Sequence, residues 1–400
     1  MQPFTGSFTQ QEPIADDAIE AAVAVLRSGR LHRYNTVGTE LGPVAELEKA
    51  YAAYQGSKYC LACTSGGYAM ATGLRALGVG AGDTVLTNGF TLAPVPGAIA
   101  AVGADAVLVE ITPDLVLDLD DLEAKITATA PKVLLLSNMR GHLCDMDALM
   151  AVLDRHGVPL IEDCAHTMGA SWNGTRSGSF GTAGCFSTQT YKHMNSGEGG
   201  LLTSDDPEFM ARAIMLSGSY MLYDRHGAAP PPEMFTDIRL DTPNMSGRMD
   251  NLRASILLTQ LGGLETNIDR WNARHDLVAD RLRGVAGVYV PNRPEQERYV
   301  GSSFQFLMPD AGAEAVQQVV AGARTLGVEL KWFGADSPVG FTSNHQSWRF
   351  VAPQDLPRTD AVLAGLLDMR IPLTFSLDDC GHVADIIVHV VRNALQKGAA

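Results

Sequence analysis

Apolar residues recur at helical spacing over residues 15–28, and again over 44–54 after Pro43, where proline suits the first turn of a helix. Beyond these two helices the period changes. Short apolar runs at 59–64, 84–87, 106–110, 132–136, 159–163, 184–187 and 200–204 are interleaved with helical stretches at 68–77, 95–102, 120–126 and 146–155. Strands separated by helices predict an α/β unit, a mostly parallel sheet with helices on both faces. Ligands of such sheets bind beyond the C-terminal ends of the strands. That rule gathers Ser65, Asp163 and Ser187 on one edge, with Lys192 close behind.

After about Leu240 the pattern is different. Residues 253–283 predict one long helix or a broken pair, with Leu257, Leu258, Leu261, Leu264 and Ile268 as its apolar stripe. Strands near Val288 and at 303–308, helices at 313–326 and 360–367, and a last helix at 383–394 describe a smaller α+β domain. The expected division is a large domain over 1–250, including the N-terminal helices, and a small one over 251–400 with its linking helix. Four hundred residues at 46% hydrophobic content support two cores, since single cores stop growing at roughly 250 to 300 residues.

A formal charge of −15 argues against nucleic acid as the partner and for a small-molecule substrate. No run approaches the roughly 20 apolar residues that span a bilayer, and the opening Met1-Gln-Pro-Phe lacks a basic, then apolar, export signal. No membrane contact and a cytoplasmic location are expected. The six cysteines are scattered through apolar runs, and Cys60-Leu-Ala-Cys63 has no second pair to complete a zinc site, so they read as reduced core residues.

The chemistry centres on one of only seven lysines, Lys192, in Phe186-Ser-Thr-Gln-Thr-Tyr-Lys192-His-Met-Asn-Ser-Gly197-Glu-Gly-Gly200. Upstream, the strand Leu160-Ile-Glu-Asp163 ends in acid. An amine can hold an aldehyde cofactor as a Schiff base, and a carboxylate can keep a pyridine nitrogen protonated; together they suggest pyridoxal phosphate. The turn Ser65-Gly66-Gly67-Tyr68 follows a strand and opens a helix, where backbone N–H groups and the helix dipole hold phosphate. Ser187 can add a hydroxyl, and His166 lies three residues beyond Asp163. Gly78-Val-Gly80-Ala-Gly82, by contrast, follows a helix and precedes a strand, the reverse of a dinucleotide loop.

In this order the motifs resemble those of the DegT/DnrJ/EryC1/StrS family of sugar aminotransferases, which have the aspartate aminotransferase-type fold I. The resemblance runs through Thr64-Ser-Gly-Gly-Tyr-Ala, Leu77 to Asp83, Gly141-His-Leu-Cys-Asp-Met-Asp147, Ile161-Glu-Asp-Cys-Ala-His166, Gly169-Ala-Ser-Trp-Asn-Gly174 and the Lys192 run. It implies Lys192 as the Schiff-base lysine, Asp163 as the pyridinium partner, Ser65, Gly66, Gly67, Tyr68 and Ser187 as the phosphate cradle, and His166 and Gln189 beside the cofactor. Gly67 stands where threonine is usual. Leu92 stands where an aromatic ring is usual, with Phe90 as a candidate replacement. The resemblance also implies a homodimer with shared active sites, in which Asn244 or Ser246 of Asn244-Met-Ser-Gly-Arg248-Met249 serves the partner's phosphate.

The implied activity is transfer of an amino group from glutamate or glutamine to a keto or aldehyde group of a sugar-like intermediate. For the acceptor, the resemblance points to Arg33 and Tyr34. In the small domain Trp332 and Trp348 offer aromatic surfaces for a ring. A lyase or dehydratase on the same scaffold, and a non-catalytic cofactor-binding regulator, are the competing readings.

Overall fold

The computed structural model describes residues 1–335, 337 and 344–398. Two helices, α1 (Asp16–Ser28) and α2 (Pro43–Gln55), precede the first strand, and left-handed glycines, Gly29 and Gly56, end them. The alternation that follows is β1 (Tyr59–Cys63), α3 (Gly66–Ala76), β2 (Thr84–Asn88), α4 (Pro94–Ala101), β3 (Asp105–Val109), α5 (Leu119–Thr129), β4 (Val133–Ser137), α6 (Met146–His156) and β5 (Leu160–Asp163). A short hairpin, β6 (Ser171–Trp172) and β7 (Thr175–Arg176), leads to β8 (Ala183–Ser187), β9 (Gly200–Ser204), α7 (Pro207–Ser217) and α8 (Phe235–Asp241).

Seven strands form one sheet in the order β1-β9-β8-β5-β4-β2-β3. Pairing is parallel from β8 through β3, and β9 runs antiparallel between β1 and β8. All five residues of β4 are buried because both faces are covered. Leu134 and Leu136 join Val44, Leu47 and Tyr51 on one face, while Val133 and Leu135 join Met70, Leu74 and Phe209 on the other. This is the fold type I architecture.

The long helical stretch is a broken pair, α9 (Asn251–Leu261) and α10 (Leu264–Leu282), interrupted at Gly262 and Gly263. After β10 (Glu297–Arg298) come β11 (Ser303–Leu307), α11 (Ala313–Thr325), β12 (Lys331–Trp332), α12 (Pro357–Ala364), β13 (Leu366–Arg370) and α13 (Leu377–Gly398). The expected helix at 360–367 therefore stops early. Its last apolar residues enter β13, the central strand of a three-stranded antiparallel sheet, because a short buried strand and a buried helix turn look alike in apolar pattern. Near Val288 there is only an isolated bridge, Tyr289 to Leu307. Phe4 and Phe8, placed by the sequence with the large domain, pack edge-on against Phe375 in the core of α10, α11 and α13. Among the described residues no helix is long and apolar enough to cross a membrane, and all six cysteines are free and buried.

Gly200 ties the strand ends together. It pairs with Cys63 on one side and Ser187 on the other, and a β-carbon added to it would come within 2.3 Å of the backbone of Ser65. Gly200→Ala must push β1 and β9 apart, so it should cost about 1–3 kcal/mol, as other overpacked sites do. The expected result is a lower urea midpoint at an unchanged m-value; a wild-type midpoint would show that the strand ends shift freely.

Candidate active site

At the edge where β1, β5 and β8 end lies a cavity of about 420 Å³, within the size range of small-molecule pockets. Ser65, Gly66, Gly67, Leu92, Asp163, His166, Ser187, Gln189 and Lys192 line it together. Ser65 caps α3 by accepting a hydrogen bond from Tyr68 N–H at 3.0 Å, which points the first amides of the helix at the cavity. The helix start approaches β8 closely: a β-carbon on Gly66 would lie 3.0 Å from Ser187 Cβ. At Gly67 the nearest atoms would be 3.9 Å away, so the space a threonine would fill is open.

Strand alternation decides which acid of Leu160-Ile-Glu-Asp163 faces the cavity. Glu162 points to the other side and accepts the N–H groups of Gly178 and Phe180. Asp163 is buried on the cavity side. Its Oδ1 accepts Ala165 N–H at 3.1 Å, and its Oδ2 accepts the Ser137 hydroxyl at 3.1 Å, which in turn accepts Thr91 Oγ1 at 2.7 Å. Burial raises the acid's pKa, opposed by Lys192, the Ala165 amide and Ser137. No cation is hydrogen-bonded to it among the described residues.

Lys192 is half-buried, with Nζ 2.8 Å from His166 Nε2. His166 Nδ1 accepts the Arg140 N–H at 3.1 Å, so the proton of the neutral imidazole sits on Nε2. That N–H donates to the lysine, which must then present a lone pair. The electrostatics agree: burial, then the nearby Lys192 and Arg140, hold His166 well below its ordinary range, and burial outweighs Asp163 to bring Lys192 down to about 7. A part of Lys192 is therefore the free, nucleophilic amine at neutral pH.

The fit to pyridoxal phosphate can be judged on these groups. A buried carboxylate lacking a cation suits a pyridinium N–H, a helix start with two glycines suits a phosphate, and a neutral amine suits an aldehyde. The donor set matches the cofactor at three separate points.

Other expected residues lie elsewhere. Tyr68, whose backbone the resemblance puts in the phosphate cradle, keeps its N–H at the start of α3 on Ser65 and turns its ring away to donate to Leu216 O at 3.1 Å, and Phe90 packs edge-on against Phe333 in the core rather than over the cavity. Asn244 and Ser246 are exposed in one turn, where Asn244 Oδ1 accepts Ser246 N–H at 3.0 Å. Arg33 is buried, and its guanidinium is spent on both oxygens of Glu48 at 2.8 Å rather than on a ligand. Tyr34 meets His226 Nδ1 at 3.1 Å, also away from the cavity. Trp332 donates to Ala364 O at 2.8 Å, and Trp348 is buried with Leu108, Val351 and Leu356. Phe8, Gln11, Arg140 and Arg370 are among the cavity residues that no motif marked. Arg140 directly precedes a glycine that the motif reading had singled out; the others arrive from distant segments.

Two outcomes follow from these groups. Arg33→Met leaves the buried Glu48 carboxylate with only the Ala62 N–H and His226, 3.2 Å away, so it should cost about 3–5 kcal/mol in urea unfolding; a loss below about 1 kcal/mol would contradict the buried pair. In cofactor-free protein, the rate of imine formation with pyridoxal phosphate should rise with pH through about 7 and then level off, because the lysine loses its proton there. A rate still climbing toward the ordinary lysine range would contradict the neutral amine.

Comparison with known proteins gives the same direction. A model of the DegT/DnrJ/EryC1/StrS aminotransferase family matches residues 13–388. L-glutamine:2-deoxy-scyllo-inosose aminotransferase of Streptomyces kanamyceticus is 33% identical over 329 residues, 78% of this chain and 74% of that protein. UDP-2-acetamido-2-deoxy-3-oxo-D-glucuronate aminotransferase of Pseudomonas aeruginosa is 36% identical over 262 residues, 64% of this chain and 67% of that protein. The crystal structure of 3-amino-5-hydroxybenzoic acid synthase superposes with a TM-score of 0.83 at 25% identity, covering 97% of this chain and 99% of that one. With a match that runs from the first helix into the last, the chain belongs to the DegT/DnrJ/EryC1/StrS aminotransferase family, and it is an aminotransferase.

Proposed function

We propose that the chain moves the amino group of glutamine or glutamate to a ketone or aldehyde carbon of a sugar-like or cyclitol-like ring, with pyridoxal phosphate bound at Lys192. The family is pyridoxal phosphate-dependent, and the relatives above are named for cyclitol and nucleotide-sugar substrates. The observation that carries the reading is the Lys192 amine, with its proton affinity lowered by burial, in one cavity with an Asp163 carboxylate to which no cation is hydrogen-bonded among the described residues.

What pyridoxal phosphate supplies when bound is an electron-withdrawing ring that accepts charge from the reacting carbon. Asp163 would keep a proton on the ring nitrogen, and Ser137 with the Ala165 amide fixes the carboxylate in place. The first amides of α3, with Ser65 and Ser187, anchor the phosphate, while Leu92 and Gln189 complete the walls. Lys192 would serve twice, its amine holding the aldehyde group of the cofactor and, when free, moving a proton at the reacting carbon of the substrate. His166, locked by the Arg140 amide, keeps that amine oriented.

The exposed turn with Asn244 and Ser246 is the segment we assign to the partner's phosphate in a homodimer. A cytoplasmic setting accords with six free, buried cysteines.

The purified protein with pyridoxal phosphate should show the visible absorption of a lysine-bound cofactor, and glutamine alone should bleach it. Lys192→Ala should show no such band. A native protein without the band removes the cofactor reading, and a band that no amino donor bleaches removes the transaminase reading.

A further inference from the structure

One wall of the cavity is built from segments that the phosphate and pyridine contacts leave unused. Phe8, Gln11, Trp271, Ser302, Ile371 and Pro372 line it. A circuit of contacts holds this wall in shape. Trp271 donates its Nε1–H to Ile371 O at 3.1 Å, Ile371 donates its N–H to Ser302 O at 2.9 Å, and Ser302 Oγ lies 3.0 Å from His193 Nε2. The His193 ring closes the circuit edge-on against Trp271, with centroids 5.3 Å apart. Gln11 is pinned on both sides in the chain: Phe8 packs on Phe375, and Glu12 forms a two-point ion pair with Arg270 at 2.9 and 2.5 Å.

Two neutral polar groups on this wall have hydrogen-bonding capacity to spare. Gln11 is half-buried, and among the described residues its side-chain amide makes no hydrogen bond. The state of Ser302 follows from its histidine. Burial, then the nearby Lys192, brings His193 down to about 3, so its ring is uncharged and carries one N–H. Nδ1 is buried without a partner. A hydrogen placed there would be an orphaned donor, whereas a hydrogen on Nε2 reaches the serine and leaves only a lone pair unmatched. Ser302 Oγ therefore accepts from His193, and its own hydrogen is left for the cavity that the serine lines. Around these two groups the wall is apolar, formed by two aromatic rings, an isoleucine and a proline. Such a surface matches a saturated ring bearing hydroxyls, with C–H groups on the rings and oxygens at the amide and the serine.

We infer that this wall is the ring subsite of the amino acceptor, where the Gln11 amide and the Ser302 hydroxyl bind oxygens of a polyhydroxylated ring ketone, with His193 as the positioning residue of the serine. The inference rests on the proposed transamination and names the groups that read the acceptor. Gln11 both donates and accepts, as a hydroxyl does. Ser302, whose accepting side is taken by His193, donates to a ring oxygen. Removing either group leaves an oxygen of the acceptor without a partner.

The test uses holoenzyme bleached with glutamine and freed of excess donor, and follows the return of the cofactor band when a ring ketone is added. The probes are 2-deoxy-scyllo-inosose, a free ring ketone, and UDP-2-acetamido-2-deoxy-3-oxo-D-glucuronate, a nucleotide-linked one. In Ser302→Ala and in Gln11→Met the ketone concentration for half-maximal rate should rise roughly 3- to 10-fold, the loss of one neutral hydrogen bond each. The loss should fall on the ketone half, and the glutamine concentration for half-maximal bleaching serves as the measure of damage to the wall itself. His193→Phe should match Ser302→Ala, and the double variant should lose no more than either, because the histidine acts through the serine. An unchanged ketone dependence in the Ser302 and Gln11 variants overturns the inference, and so do equal losses in both halves. Additive losses in the double variant overturn the positioning role of His193. A wild type that glutamine bleaches and neither ketone recolours overturns the ring subsite while the donor half stands. If instead the wild-type band is absent or never bleaches, the failure is that of the transamination reading.

Discussion

The hydrogen bond from the Arg140 amide to His166 Nδ1 sets the tautomer of the histidine that faces Lys192. It consumes one imidazole nitrogen, so the other must carry the hydrogen, and a hydrogen there can be received only by an uncharged lysine. Arg140 holds its amide in position with a left-handed backbone at φ 57°, locked by the side-chain pair with Asp368. A bond from one segment of backbone thus adds to burial in favouring the uncharged form of a side chain that the sequence places far away. If the amide turned away, the ring could choose either tautomer and the lysine would have less reason to stay neutral.

A second constraint is that the two halves of the chain meet at this point. Asp368, the anchor of Arg140, lies on the central strand of the small sheet, whereas His166 follows β5 of the large one. Lys192 lies between, with Asp163 on the large-sheet side and Arg370 on the other. The cavity is therefore not a property of the parallel sheet alone. Its floor comes from strand ends, and its far wall comes from an antiparallel sheet that packs over them.

This division explains what could be read from the sequence. The floor was legible because β1, β5 and β8 each end in a distinctive residue, Ser65 just past the first, Asp163 and Ser187 at the others, and alternation of strands with helices aligns such ends. Lys192 stood out for its setting beside Gly197-Glu-Gly-Gly200. The wall was not legible. Leu366 and Leu367, the start of β13, read as the tail of a helix, because buried strands and buried helix turns share the same apolar run. Arg33 misled in the opposite way: an arginine beside a tyrosine looks like ligand chemistry, while its actual partner, Glu48, is an acid on α2 whose burial cannot be read from local pattern. Phe90 and Leu92 differ by two positions, and only the turn after β2 determines that the leucine reaches the cavity while the phenylalanine goes to the core.

The packing of Phe4 and Phe8 bears on the order in which the molecule can be assembled. Phe4 donates its N–H to Leu326 O, and both rings lean on Phe375. During synthesis these early side chains have nothing to cover them until the late segments emerge, whereas the parallel sheet can close around its own helices first. Phe8 and Gln11, on that same segment, also line the cavity. The pocket reaches its finished shape only when the earliest and latest parts of the polypeptide meet, so a ribosome-bound chain can own a complete sheet and still lack a complete active site.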